Sequence, residues 1–169
     1  MAVLRRIARP LLASSFVAGG IHTLLHPSAV APAAGPVALP VADRIPALPK
    51  DPEQLVRINS AVQIGAGALF ALGRFPRLSA FALAASLIPT TLAGHAYWTE
   101  EDPEKRSAQR VHFLKNVSLL GGLLIAVADT HGKPSLAYRS RRGLDTAVSR
   151  SADGVRSVTE AVRDHVPVT

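Results

Sequence analysis

The sequence predicts an all-α integral membrane protein: a four-helix bundle followed by a basic cytoplasmic C-terminal tail. Three observations carry that expectation. From Leu78 to Tyr97 runs LSAFALAASLIPTTLAGHAY, twenty residues without one Asp, Glu, Lys or Arg, and that length at the helical rise matches a hydrocarbon core about 30 Å thick. Three other apolar stretches of similar length accompany it. The charges, which sum to +7 over 169 residues, collect in the connectors instead.

The first helix is expected at about residues 7–25, behind Arg5 and Arg6. A cleavable signal peptide competes with it, because Ala31-Pro32-Ala33 is a small-residue site. The uncleaved helix is preferred, since His22 and His26 fall late and cleavage would leave an odd number of spans. Residues 26–54, HPSAVAPAAGPVALPVADRIPALPKDPEQ, are dense in proline, which interrupts helices, so a stiff outer loop is expected there.

The second helix, about 55–72, is the weakest, because Arg57, Asn59 and Gln63 interrupt its first half. Arg57 lies near enough to the end to snorkel toward headgroups. The Gly65-Ala66-Gly67-Ala68 run offers small residues for close helix contact. If this segment does not span, the topology changes.

The third helix, 78–97, contains Pro89, which removes a backbone hydrogen bond; the hydroxyls of Thr90 and Thr91 stand ready for freed carbonyls. The fourth is expected at about 111–128, with Lys115 and Asn116 near its start. Residues 1–130 thus form the membrane domain and 131–169 a basic polar tail. Within the tail Leu144, Val148, Val155, Val158, Val162 and Val166 recur at helical spacing. An amphipathic interfacial helix and a disordered basic segment both fit, and both favour anionic lipid.

Orientation follows from the cations. Arg5, Arg6, Arg9, Arg74, Arg77, Lys133, Arg139, Arg141, Arg142, Arg150, Arg156 and Arg163 fall on one side. Arg44, Lys50, Lys105, Arg106 and Arg110 fall on the other, with Glu100, Glu101, Asp102 and Glu104. The positive-inside rule then places both termini in the cytoplasm and the helices in the inner (plasma) membrane.

Composition narrows the chemistry. No cysteine is present, which excludes disulfides, thiolate metal sites and a thiol redox cycle carried by this chain. With eight aromatic residues and no zinc-ligand spacing, nucleic acid is not an expected partner.

Ionisable groups within spans are functional suspects. By this topology His22, His26, His95 and His112 gather toward the outer leaflet, near Arg57, Asn59, Gln63, Lys115 and Asn116. The binding candidates for a quinone or a partner are His95, His112, Lys115, Asn116, Arg57 and Gln63. His22 and His26, at i and i+4, have a metal-ligand spacing but are weak candidates as a lone pair. An aromatic belt of Tyr97 and Trp98 is the plainer account of the third helix's end. No catalytic residue is assigned.

The stretch from Gly73 to Asp129 resembles the DoxX family of small four-helix membrane proteins. The matching elements are the Gly73-Arg74 loop, the third helix ending in His95-x-Tyr97-Trp98, and Phe113-Leu114-Lys115-Asn116 leading to Gly121-Gly122-Leu123-Leu124. The Arg-rich start and Gly19-Gly20-Ile21 fit it too. The resemblance implies a link to redox or sulfur metabolism. One branch resembles a subunit of thiosulfate:quinone oxidoreductase, and some actinobacterial members are associated with a superoxide dismutase and a sulfurtransferase. The Ala- and Arg-rich composition is actinobacterial-like. The implied role is an accessory or anchoring subunit of a membrane oxidoreductase, at most non-catalytic or quinone-contacting. The alternative is a non-enzymatic small membrane protein acting in permeation or envelope stress.

Overall fold

The computed structural model describes residues 2–129; the tail, with its proposed amphipathic face, lies outside the described residues. Five α-helices follow one another: α1 Ala2–Leu25, α2 Pro27–Arg44, α3 Pro52–Ala71, α4 Pro76–Gly94 and α5 Pro103–Ala128, with a 3-10 turn at Tyr97–Thr99 before α5. No strand occurs among the described residues.

Local chemistry sets the boundaries. Every helix after the first opens on proline, whose missing N–H costs nothing in a first turn that has no acceptor for it. Asp51 and Asp102 cap α3 and α5. The Asp51 carboxylate accepts from the Glu53 and Gln54 N–H groups at 3.3 and 3.2 Å, and Asp102 accepts from Glu104 and Lys105 at 2.9 and 3.4 Å. At the end of α3, Gly73 takes φ +70°. Its N–H donates to the Phe70 carbonyl (3.0 Å), and the Arg74 N–H reaches back to Leu69 (2.8 Å). That pairing is a Schellman stop, and it needs the left-handed backbone glycine tolerates.

The proline-rich segment is where the structure departs most from expectation. Residues 27–44 form a helix, not a loop, and it meets α1 at a bend of 106° across His26. The spacing explains why. Pro32, Pro36 and Pro40 recur every fourth residue, so their rings lie along one strip of the helix, and all three are exposed. Each proline forfeits a hydrogen bond on that strip alone. The opposite strip keeps its ladder and buries Ala34, Gly35 and Ala42.

α1 and α3 run antiparallel along a seam of small residues. A Cβ on Gly20 would lie 3.0 Å from Ile64 Cγ1, and one on Gly67 would lie 2.8 Å from Val17 Cγ2. Only hydrogen fits at either position, which is how backbones approach closely without side-chain interdigitation. α1, α3, α4 and α5 all contribute to one apolar core: Ala13 and Phe16, Phe70, Ala80, Leu83, Ala84 and Leu87, and Leu123.

The arginine-rich end is tied by charge. Arg5 pairs with Asp129, through Nε–Oδ2 at 2.9 Å and Nη2–Oδ1 at 3.1 Å. Arg77 Nε donates to the Val127 carbonyl at 2.7 Å, occupying one of the last carbonyls of α5. The Arg9 guanidinium lies against Gly73. These contacts bring the start of α1, the α3–α4 loop and the end of α5 to one end of the molecule.

Two regions are long and apolar enough to cross a membrane unaided, Pro76–Thr99 and Pro103–Ala128, and α1 with α2 qualifies as a bent pair. The count is therefore two, or three with the bent pair, against the expected four. α3 does not qualify. Glu53 and Arg57 open it, and Ser60 and Gln63 are buried polar residues of its inner face. Large apolar side chains remain outward on the helices, among them Leu78, Phe81, Ile88, Val111, Leu124 and Ile125. In water such a surface would drive aggregation; against acyl chains it is the matching solvent.

Candidate functional site

α4 is gripped from both sides just after Pro89. Thr90 and Thr91 are adjacent, so their side chains leave the helix about 100° apart. Thr90 faces α3 and Thr91 faces α5. The Thr90 hydroxyl donates to the Ser86 carbonyl at 2.8 Å and accepts from Asn59 Nδ2 at 3.0 Å and Gln63 Nε2 at 3.1 Å. Thr91 donates to the Leu87 carbonyl at 2.7 Å and accepts from Asn116 Nδ2 at 3.1 Å.

A hydroxyl has one proton and two acceptor lone pairs. Because Thr90's proton is committed to Ser86, both amides must present their NH2 groups to it. Their carbonyl oxygens are thereby turned away. Pro89, for its part, removes the N–H that the Ala85 carbonyl would accept.

Beside this junction lies a cavity of about 450 Å³, within the size range of small-molecule sites. Its apolar wall comes from α2 (Val30, Ala34, Val37, Ala38, Val41) and from Leu55, Val56, Ile58 and Val62 of α3. Its polar lining comprises Asn59, Ser60, Gln63, Ser86, Thr90 and His95. The cavity exists because α2 is a helix; a loop would have supplied no such wall.

His95 caps the C-terminus of α4. Its Nδ1–H donates to Gln109 Oε1 at 2.7 Å, since that oxygen can only accept. His112 stacks on the same imidazole, with ring centroids 5.2 Å apart and planes inclined by 22°. Tyr97, Trp98 and Phe113 pack edge-on at 5.2 to 5.7 Å and hold the 3-10 turn against α5.

Of the residues singled out in the sequence, Gln63 and His95 line the cavity and His112 backs His95. Asn116 is buried on the opposite side of α4, holding Thr91. Arg57 is drawn outward to Glu53 by an ion pair at 2.6 Å, and Lys115 is exposed on α5; neither belongs to the cavity lining. His22 and His26 are in ring contact at 5.0 Å, and His26 Nδ1–H donates to the His22 carbonyl at 3.1 Å. No group of three potential metal ligands occurs among the described residues.

Gln109, the partner of His95, and the α2 wall are not evident in the sequence. Gln109 sits among charged residues at the start of α5, and its relevance follows only once α4 and α5 lie antiparallel.

Apolar helices with apolar outward faces, enclosing a small polar junction, define a small integral membrane protein. The DoxX family model matches residues 4–96, more than half of the chain, and the protein belongs to that family. The match covers α1 to α4 and stops before α5, so the Phe113–Asn116 and Gly121–Leu124 elements lie beyond it. No curated protein and no solved structure matches the chain.

Proposed function

We propose that the protein is an accessory or anchoring subunit of a redox- or sulfur-linked membrane complex, and that its cavity holds a quinone-class molecule. In this reading α1, α3, α4 and α5 form a four-helix bundle in the inner membrane with both termini and the basic tail in the cytoplasm. The clustering of Arg5, Arg9, Arg74 and Arg77 at one end supports that orientation. Glu53 and Arg57 lie in the first two turns of α3, where headgroups are within reach of long side chains.

The observation that carries the proposal is a cavity of mostly apolar lining that also includes amides, hydroxyls and the His95 imidazole. Such a site accommodates a flat ring beside the polar groups with its tail along α2. His95, backed by His112 and oriented by Gln109, supplies the group that hydrogen-bonds a ring oxygen or moves its proton. Electrons are carried by the bound molecule or by a partner, because the chain has no cysteine. A superoxide dismutase or a sulfurtransferase is the proposed class of partner.

Purification of the whole protein from native membranes in mild detergent tests this reading. The expected result is a co-extracted quinone, detected by mass spectrometry and ultraviolet absorbance, together with a redox enzyme. His95→Ala should lower the quinone content while leaving insertion intact. A preparation with no quinone, no redox partner and no effect of His95→Ala would leave a non-enzymatic membrane role in its place.

A further inference from the structure

The turn between α3 and α4, Gly73-Arg74-Phe75-Pro76-Arg77, pairs a strained backbone with a one-sided charge. Phe75 is the one non-glycine residue with positive φ among the described residues, at 49°, in the left-handed region that L side chains seldom adopt. It is 70% exposed, so the described residues repay little of that cost by packing. Leu72 and Leu78 are exposed to either side of it in the chain, and Arg74 and Arg77 stand exposed between them. Arg5, Arg6 and Arg9 of α1 lie at the same end, because Arg9 rests against Gly73 and both Arg5 and Arg77 bind the last residues of α5. These five arginines share a single carboxylate among the described residues, Asp129, and Arg5 already holds it. The acidic residues at 43–53 and 100–104 lie at the opposite end, around the starts of α3 and α5. Arg6 and Arg74 have no side-chain partner among the described residues. Arg77, anchored through Nε to the Val127 carbonyl at 2.7 Å, keeps its two terminal nitrogens.

Guanidiniums in excess beside apolar side chains call for an anion that is itself joined to hydrocarbon. We infer that this end is a binding site for an anionic glycerophospholipid: Arg74 and Arg77 fork onto its phosphate, while Leu72, Phe75 and Leu78 lie along its acyl chains. Phosphates and the first methylenes of the chains are adjacent in a bilayer, as the cations and apolar side chains are in this turn. The left-handed Phe75 sets its ring outside the protein beside the guanidiniums, and lipid supplies the contact that the protein does not. A zwitterionic lipid brings the same phosphate together with a cation that the arginines repel, so net negative charge is what the site selects. The inference needs only the membrane location, and neither the quinone nor a redox partner.

The test uses the full-length protein in dodecyl maltoside, titrated with phosphatidylglycerol or with phosphatidylcholine of identical chains, and bound lipid is counted by native mass spectrometry. Phosphatidylglycerol should bind about tenfold tighter or more, since each arginine near an anionic headgroup contributes severalfold. Residues 130–169 carry seven further cations, so Arg141→Gln and Arg142→Gln serve as controls of equal charge. Arg74→Gln should lower the preference for phosphatidylglycerol about fivefold, and each control should lower it less. Should Arg74→Gln not fold, Arg6→Gln at the same end gives the same readout. Phe75→Gly keeps the charge and relieves the backbone; it should weaken both lipids alike. Equal affinity for the two lipids in the unaltered protein would overturn the inference, as would equal losses in Arg74→Gln and the controls. Inorganic phosphate that displaces phosphatidylglycerol in the same assay would overturn it too, because the site would then take the phosphate group alone. Unchanged affinities in Phe75→Gly would remove the apolar half of the site.

Discussion

α3 has two unlike faces. Toward α1 it is closed by hydrogen: Gly67 meets Val17, and Gly20 of α1 meets Ile64 and Ser60. Toward α4 it is joined by amides, Asn59 and Gln63 sharing the Thr90 hydroxyl. The first face leaves no room and the second leaves a cavity. Close backbone approach consumes the space between helices, whereas a hydrogen-bonded pair holds helices at the length of a side chain and leaves volume beside it. The tight seam and the cavity thus lie on neighbouring faces of one helix, with Gln63 at their border: its Cβ lies 3.2 Å from a Cβ on Gly20, and its amide reaches Thr90.

The largest effect should come from filling the glycine seam. Gly67→Leu places a branched side chain where even a Cβ lies 2.8 Å from Val17 Cγ2. Overpacking of this kind costs about 3 kcal/mol or more, read as a fall in thermal midpoint in detergent or as loss of folded protein. Thr90→Val strikes the other face. It strands two amide donors, at a cost of about 2 kcal/mol by the usual penalty for an unmade buried bond. Thr91→Val strands only Asn116 and should cost about half as much. If the two threonine variants were equally destabilised, the unequal sharing described for them would be wrong.

Arg5→Ala should be smaller still. The pair with Asp129 is about a third exposed on both sides, so a double-mutant cycle should return about 1 kcal/mol or less and diminish with salt. Gly65→Ala is the control. Nothing lies within 4 Å of its would-be Cβ, and alanine's better helix propensity should leave stability unchanged or raised by up to about 1 kcal/mol.

How far the sequence revealed this arrangement depended on the kind of signal. An uncharged run twenty residues long exposed α4, whereas α3 and α5 start at Pro52 and Pro103, ahead of the expected 55 and 111, because Asp51 and Asp102 cap helices whose first turns are charged and so lie outside the apolar runs. Residues 27–44 misled because proline content was weighed without its period; a four-residue repeat confines the damage to one strip. α3 is legible as a helix but is not apolar enough by itself to qualify as a span, since its polar residues divide between Arg57, drawn to Glu53, and Gln63, turned inward. Of the candidate site, His95, His112 and Gln63 could be guessed from ionisable or amide groups in apolar surroundings. Gln109 and the α2 wall could not, because each acquires meaning only from a helix packed against another.

The row of prolines on α2 has a mechanical consequence. Each ring presses on the carbonyl four residues before it, and a helix relieves that pressure by bowing away from the ring. With Pro32, Pro36 and Pro40 on the outer side, such a bow would wrap α2 over α3 and α4, a curvature set by covalent structure and needing no occupant. A wall stiffened and shaped by its own proline rings would hold the chamber open without help from whatever fills it.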